Sequence, residues 1–282
     1  MQLRTALRET LEGWQGDLDP HWRDVVGDVD LAFDAVDPKL ELEPWEPIFP
    51  ARRGRTFPGA PAGAHMLRAF DDLLPEDVRC VILGQDPYPC PAFATGRAFE
   101  AGNVARWREL DKMFSPSVRA VIQLIVAART GEARYARSFS QWPATLAAIE
   151  SGAVDLEAPG ALADRWVASG VLLLNTSLTL SRFRREGDPH QVRGHLPLWR
   201  PLMVRVLDRL EARDRPLVVI GFGDAAAETL SAAGLSEPET DTTVGVILRP
   251  HPAAADEILA QENPFTLCNR RLQTMGAAPV DW

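Results

Sequence analysis

Three short stretches of this 282-residue chain place reactive residue types where little else explains them. Asp86 sits in Gly84-Gln85-Asp86-Pro87-Tyr88-Pro89, Asn175 in Asn175-Thr176-Ser177, and His251 in Arg249-Pro250-His251-Pro252. Each follows an apolar run, as does a fourth polar cluster, Gly221-Phe222-Gly223-Asp224. Prolines 87 and 89 stiffen the loop around Asp86, and a carboxylate held in place can orient water or stabilise a cation. A histidine on the same polar rim is a candidate acid or electrophile. Taken singly, an aspartate of this kind is more often a cap or turn residue, and a histidine before proline is usually a structural hydrogen-bonder; Asn175 and His251 at the ends of neighbouring runs give Asp86 more weight.

The elements that must position these groups are the four apolar runs, Val78 to Leu83, Val171 to Leu174, Leu217 to Ile220 and Val244 to Leu248. All are continuous rather than alternating, the pattern of strands covered on both faces of a parallel sheet. Helical spacing lies between them, with Val118, Val121, Ile122 and Ile125 at i, i+3, i+4, i+7 and Leu202, Val206 and Leu210 every four residues. The expected fold is α/β, a three-layer sandwich with a central, mostly parallel four-stranded sheet flanked by helices. Ligands of such sheets bind beyond the carboxyl ends of the strands, where all four polar clusters fall. A loop is expected over 57–64 and a helix over 66–73. Residues 1–47 are expected to form an acidic helical extension of a single domain spanning 1–282. Gly221 to Ala226 matches a weak dinucleotide fingerprint, but the acid downstream, Asp241, precedes the next apolar run instead of ending it; a tight strand-to-helix turn is the better reading.

The formal net charge of −9 excludes a protein that coats nucleic acid non-specifically and leaves room for a nucleic-acid enzyme. Residues 1–50 hold twelve acids against four bases, so the rest of the chain is close to neutral. Two basic stretches, Arg52, Arg53 and Arg55, then Arg182, Arg184, Arg185 and Arg193, are candidate phosphate contacts or simply solvated arginines. The three cysteines, Cys80, Cys90 and Cys268, lack the spacing of a disulfide framework, a zinc site or an iron–sulfur cluster. With no signal-like start and no apolar run near ~20 residues, the chain is expected to be cytoplasmic, without a membrane contact, and monomeric.

The motifs together resemble the main family of uracil-DNA glycosylases. The likeness runs from Ile48 to Trp282 and is carried by Gly84-Gln85-Asp86-Pro87-Tyr88, Leu172-Leu173-Leu174-Asn175-Thr176, Pro250-His251-Pro252 and Pro279-Val280-Asp281-Trp282, in family order. It implies an enzyme that flips deoxyuridine out of DNA, single- or double-stranded, and hydrolyses its N-glycosidic bond, with no metal and no cofactor. By that resemblance Asp86 orients water and stabilises the cationic sugar, and neutral His251 donates to the uracil oxygen that gains charge. Asn175 reads the base edge, Phe99 stacks on its face, Tyr88 stands where thymine has its methyl, and the Gln85 backbone contacts the base. Cytosine would set a donor against the Asn175 donor, a mismatch worth roughly 10⁴ or more in discrimination. Ser117 would grip a phosphate, and Pro252, Ala253, Ala255, Arg182 and Arg184 would lie along the DNA.

The chain departs from the family pattern at defined places. Pro89 replaces a common histidine, Phe222-Gly223-Asp224 lacks a tryptophan, and the approach to Ser117 is poorer in proline. The last motif, usually H-P-S-P-L, continues here as Ala253-Ala254-Ala255-Asp256-Glu257. An alanine cannot fill the gap left by a flipped base, and the two acids oppose phosphate, so flipping from duplex is expected to be handicapped, with a smaller deficit on single strands. The same change leaves open a repurposed relative that binds nucleobase, DNA or a protein partner.

Overall fold

The computed structural model describes every residue except 114–115, 185–186 and 238–242, and no side chain of 111–113. Ser115, Arg185 and Asp241 therefore lie outside the described residues. The four apolar runs are strands, β1 (Cys80–Gly84), β2 (Val171–Asn175), β3 (Leu217–Phe222) and β4 (Val244–Arg249). They form one parallel sheet in the order β2-β1-β3-β4. Every residue of β1, β2 and β3 is buried, as a sheet covered on both faces requires.

The covering helices are α1 (Leu3–Leu11), α2 (Pro20–Val26), α3 (Pro116–Thr130), α4 (Trp142–Glu150), α5 (Pro159–Ala168), α6 (Leu196–Glu211), α7 (Asp224–Ala232), α8 (Ala255–Leu259) and α9 (Pro264–Thr274). Helix α5 packs on β2, α7 on β3, and α9 on both β3 and β4. The spacing of Val118, Val121, Ile122 and Ile125 belongs to α3, and that of Leu202, Val206 and Leu210 to α6; all seven side chains are buried. Cys80 on β1 and Cys268 on α9 meet inside this core as free thiols, 3.7 Å apart.

The helix expected over 66–73 is only one 3-10 turn, Arg68–Phe70. The Arg68, Phe70 and Asp71 N–H groups donate three residues back, to the His65, Leu67 and Arg68 carbonyls, the pattern of a 3-10 turn. Asp72 then turns the chain at a φ of 59°, a value no right-handed helix tolerates.

The acidic first fifty residues form α1, α2 and 3-10 turns that share one apolar cluster with the sheet. Trp22 is fully buried and its indole N–H donates to Leu73 O at 2.7 Å. Acids of this layer serve as counter-ions to the basic stretches. Arg52 clasps Asp17 through two hydrogen bonds of 2.6 and 2.9 Å and also donates to the Glu12 and Gly13 carbonyls. Arg53 pairs with Asp71, and Arg193 with Asp37 at 2.8 Å. Arg53 also donates to Asp17 O at 3.0 Å, so both arginines, candidates for phosphate contacts or solvated side chains, tie the N-terminal layer to the body. Arg52→Met removes the clasp and strands Asp17; it is expected to lower stability by about 2 kcal/mol, read as a lower urea midpoint with an unchanged slope.

Candidate functional site

Strand register delivers the candidate residues to one rim. Gly84 stands opposite Asn175, Leu83 opposite Gly221, and Phe222 opposite Arg249, so the four strands end nearly level. In the order β2-β1-β3-β4 the chain leaves β1 for β2 on one side and later returns to β3 on the other. That switch point opens the crevice between the loops that follow β1 and β3, one of which carries Asp86 and the other Gly223.

The ladder continues past the strands. The Thr176 N–H donates to Gly84 O at 2.9 Å, while Thr176 Oγ1 and the Ser177 N–H both donate to Gln85 O, at 2.7 and 2.9 Å. These bonds hold Asn175, 4% exposed, directly over Gly84. A Cβ at Gly84 would stand 2.5 Å from Asn175 Oδ1 and 3.5 Å from Phe99 Cε2. Glycine is required there, and the space it leaves is where the amide and the aromatic edge converge. Phe99 is half-buried at a φ of 59°, edge-on to Phe222 with centroids 5.2 Å apart, and its neighbour Ala98 donates to Leu173 O of β2.

Asp86 occupies the crevice. Its Oδ2 is closed off from solvent and receives no hydrogen bond, and burial pushes its pKa up to about 7 against a partial offset from the Gln85 side chain. The Tyr88 hydroxyl is also enclosed without a hydrogen bond, and burial, then the charge of Glu100, pushes its pKa well up.

His251 follows β4 and packs against Gly223, whose φ is 81°; a Cβ there would stand 3.0 Å from His251 Cβ. Burial pulls the imidazole pKa down, favouring the neutral ring. The Ala253 N–H donates to Nδ1 at 3.2 Å, so the ring proton is on Nε2. The site therefore pairs a desolvated carboxylate with a neutral imidazole whose free nitrogen is a donor. Such a pair can stabilise positive charge on one half of a breaking bond and negative charge on the other.

The residues expected along DNA are less uniformly placed. Ser117 is half-buried in the first turn of α3, and Pro252 is buried. Ala253 is exposed, whereas Ala255 is buried in the core cluster where α8 begins. Asp256 accepts the Phe139 N–H at 3.0 Å, which gives that acid a structural task. Arg182 forks onto Asp188 at 3.0 and 3.1 Å and reaches Glu46 at 3.4 Å, and Arg184 lies 3.3 Å from Asp188. Arg182, with 29% of its side chain exposed, is thereby held largely by the protein, and Arg184, with 65% exposed, is the more open of the two.

Sequence reasoning passed over Glu100, a buried acid beside Phe99, and the role of Gly84, whose position at the end of an apolar run is the usual mark of close approach. The glycines at 221 and 223 answer to packing: a Cβ at Gly221 would meet Leu230 at 2.9 Å, in keeping with a tight strand-to-helix turn. Among the described residues no cluster of three His, Cys, Asp or Glu could hold a metal ion, and no helix is long and apolar enough to cross a membrane.

Comparison with known proteins gives one consistent answer. No family model matches the chain. It is 30% identical over 265 residues to the uracil-DNA glycosylase of Mycobacteroides abscessus, covering 94% of this chain and 95% of that one. It is 32% identical over 234 residues to that of a Parafrankia strain, covering 81% and 82%. Among solved structures it resembles the wild-type UNG of Nitratifractor salsuginis, with 26% identity, a TM-score of 0.58, and 90% and 91% of the two chains covered. The mimivirus uracil-DNA glycosylase, at 16% identity and a TM-score of 0.52 over 84% and 75%, shares the fold.

The raised pKa of Asp86 has a consequence for stability. In the unfolded chain a carboxyl releases its proton near pH 3.9. In the folded protein Asp86 keeps it until about pH 7. The carboxylate therefore opposes folding increasingly as pH rises through that interval, and fully above it. Asp86→Asn is expected to raise the thermal midpoint, by more at pH 8 than at pH 5, in paired melting curves.

Proposed function

Because the chain belongs to the uracil-DNA glycosylase family, we propose that Asp86 and His251 are the groups with which it cuts uracil from DNA. The activity itself is that of the family: hydrolysis of the N-glycosidic bond of deoxyuridine, releasing uracil and leaving an abasic site. As the bond lengthens, the sugar becomes cationic and the base anionic. Asp86 sits on the sugar side, where its carboxylate stabilises the cation and orients the water that attacks the anomeric carbon. His251 Nε2–H donates to the uracil oxygen that gathers negative charge, and the neutral ring does so without surrendering its proton.

The base lies in the corner over Gly84. The observation that carries this assignment is the convergence of Asn175 Oδ1 and the Phe99 edge on the place of one missing side chain. There Asn175 pairs with the polar edge of uracil, Phe99 stacks on its face, and Tyr88 closes the side where thymine carries a methyl. The Gln85 carbonyl is already taken by Thr176 and Ser177, so its contact with the base runs through its own N–H. Ser117, Pro252, Ala253 and Arg184 supply the DNA-facing contacts.

Single-stranded DNA is the favoured substrate. Flipping a base from a duplex takes a few kcal/mol of unstacking, and a wedge side chain offsets it in proteins that insert one. Here the wedge position holds Ala255, which is buried in α8, and the exposed Ala253 has only a methyl group. The chain works as a single domain and a monomer; its free, unpaired cysteines suit the cytoplasm. The relatives named uracil-DNA glycosylase support the catalytic reading, and nothing favours a repurposed, non-catalytic role.

The test is release of uracil from labelled single-stranded and duplex oligonucleotides in EDTA. Asp86→Asn is expected to reduce the rate by about 10²–10⁴. His251→Ala should reduce it by about 10²–10³, with both variants folded by circular dichroism. Full activity in either folded variant would remove that residue from the mechanism. Because the ionised form of Asp86 is the active one, kcat/KM should rise with pH and reach half its plateau near pH 7. Single strands should be cut about tenfold faster than duplex, or more.

A further inference from the structure

Glu100, next to the stacking residue Phe99, is a charged side chain only 5% exposed, and the mechanism above does not use it. Its Oε1 lies 3.4 Å from Arg68 and 3.6 Å from Arg97. Its Oε2 is closed off from solvent and receives no hydrogen bond from the protein. Arg97 is itself 2% exposed; its other partners, Asp72 and Asp164, are 77% and 67% exposed, so Glu100 is its buried counter-charge. The hydroxyl of Tyr88 is enclosed and unbonded in the same way, and Glu100 is the charge that acts on it. A carboxylate can only accept and a phenol can donate. Buried polar groups that lack partners carry a large desolvation penalty, and these two are complementary.

We propose that Glu100 is a positioning residue that sets the enzyme's discrimination against thymine: anchored by Arg68 and Arg97 through one oxygen, it accepts the Tyr88 hydroxyl through the other when a base is bound. Tyr88 is thereby held as a rigid wall against a C5 methyl group. The same cluster serves the stacking face. Phe99 lies in the left-handed region, which is unfavourable for a bulky residue, and the Arg97–Glu100 pair brackets it from both sides. One buried ion pair therefore fixes two walls of the pocket.

The proposal rests on the reading of Tyr88 as the wall at C5, and the experiment separates the two. Uracil and thymine release from single-stranded oligonucleotides is measured under single-turnover conditions with excess enzyme. The proteins are wild type, Glu100→Met, Tyr88→Phe, the double variant and Tyr88→Ala, each with its thermal midpoint. Glu100→Met and Tyr88→Phe are each expected to lower the uracil-to-thymine rate ratio about tenfold, the scale of one lost hydrogen bond. The double variant should lower it no further than either single change, because both remove the same contact. A purely structural role for Glu100 would multiply the two losses instead, and that result overturns the proposal. So does an unchanged ratio in Tyr88→Phe, which leaves the ion cluster intact and keeps the test decisive should Glu100→Met fail to fold. If Tyr88→Ala lowers the ratio while Glu100→Met and Tyr88→Phe do not, the proposal fails and the wall reading stands. If Tyr88→Ala leaves the ratio unchanged, the wall reading fails as well.

Discussion

Parallel pairing of β1 with β2 on one side and β3 on the other, extended by β4 beyond β3, sets the register on which the candidate site depends. A shift of β2 by one residue would carry Asn175 about 3.3 Å along the strand, beyond reach of the corner over Gly84. Apolar patterning alone is a weak guard against such a shift, because both faces of this sheet are buried and any Leu can replace its neighbour. The guard is at the strand ends. Gly84 leaves the gap that takes the Asn175 amide, and the Thr176 and Ser177 bonds to the Gly84 and Gln85 carbonyls lock the exits of the two strands together.

Charge is distributed with the same economy. Outside the site, arginines face carboxylates brought from far along the chain: Arg52 takes Asp17, Arg193 takes Asp37, and Arg205 takes Asp28. A net charge of −9 therefore describes the sum, and much of the acidic N-terminal layer is spent internally as counter-ions. Asp86 is the contrast, a buried carboxylate oxygen with no cation and no donor. In the proposed mechanism the positive partner it lacks is the one that the reaction creates. Strain of this kind is tolerated where function demands it and opposed elsewhere by the packing of the core.

What the sequence made legible was whatever repeats or stands adjacent. The four apolar runs announced the strands because a doubly covered strand has no polar face to interrupt it, although Val78 and Arg79 fall outside β1. The rim clusters were legible because each directly follows its strand. Pairings across the chain were not: Arg182 reads as a phosphate contact until Asp188 and Glu46 are seen to hold it. The helix anticipated over 66–73 ends after one 3-10 turn, because Asp72 takes a positive φ that its residue type does not announce. Ala255 could be identified as a missing wedge, but its burial depends on where α8 lies. Glu100 gave no sign at all, because a single acid after an aromatic residue is ordinary until its surroundings are dry.

The strand order also governs when activity can arise during synthesis. Asp86 and Asn175 become neighbours once β1 and β2 have paired, but the histidine follows β4, the outermost strand on the opposite side and the last to emerge. Contacts so distant along the chain form late and slowly. A chain halted before β4 carries the carboxylate and the amide and lacks the imidazole. On the proposed assignment an unfinished molecule on the ribosome lacks one of its two catalytic groups, which arrives together with completion of the sheet.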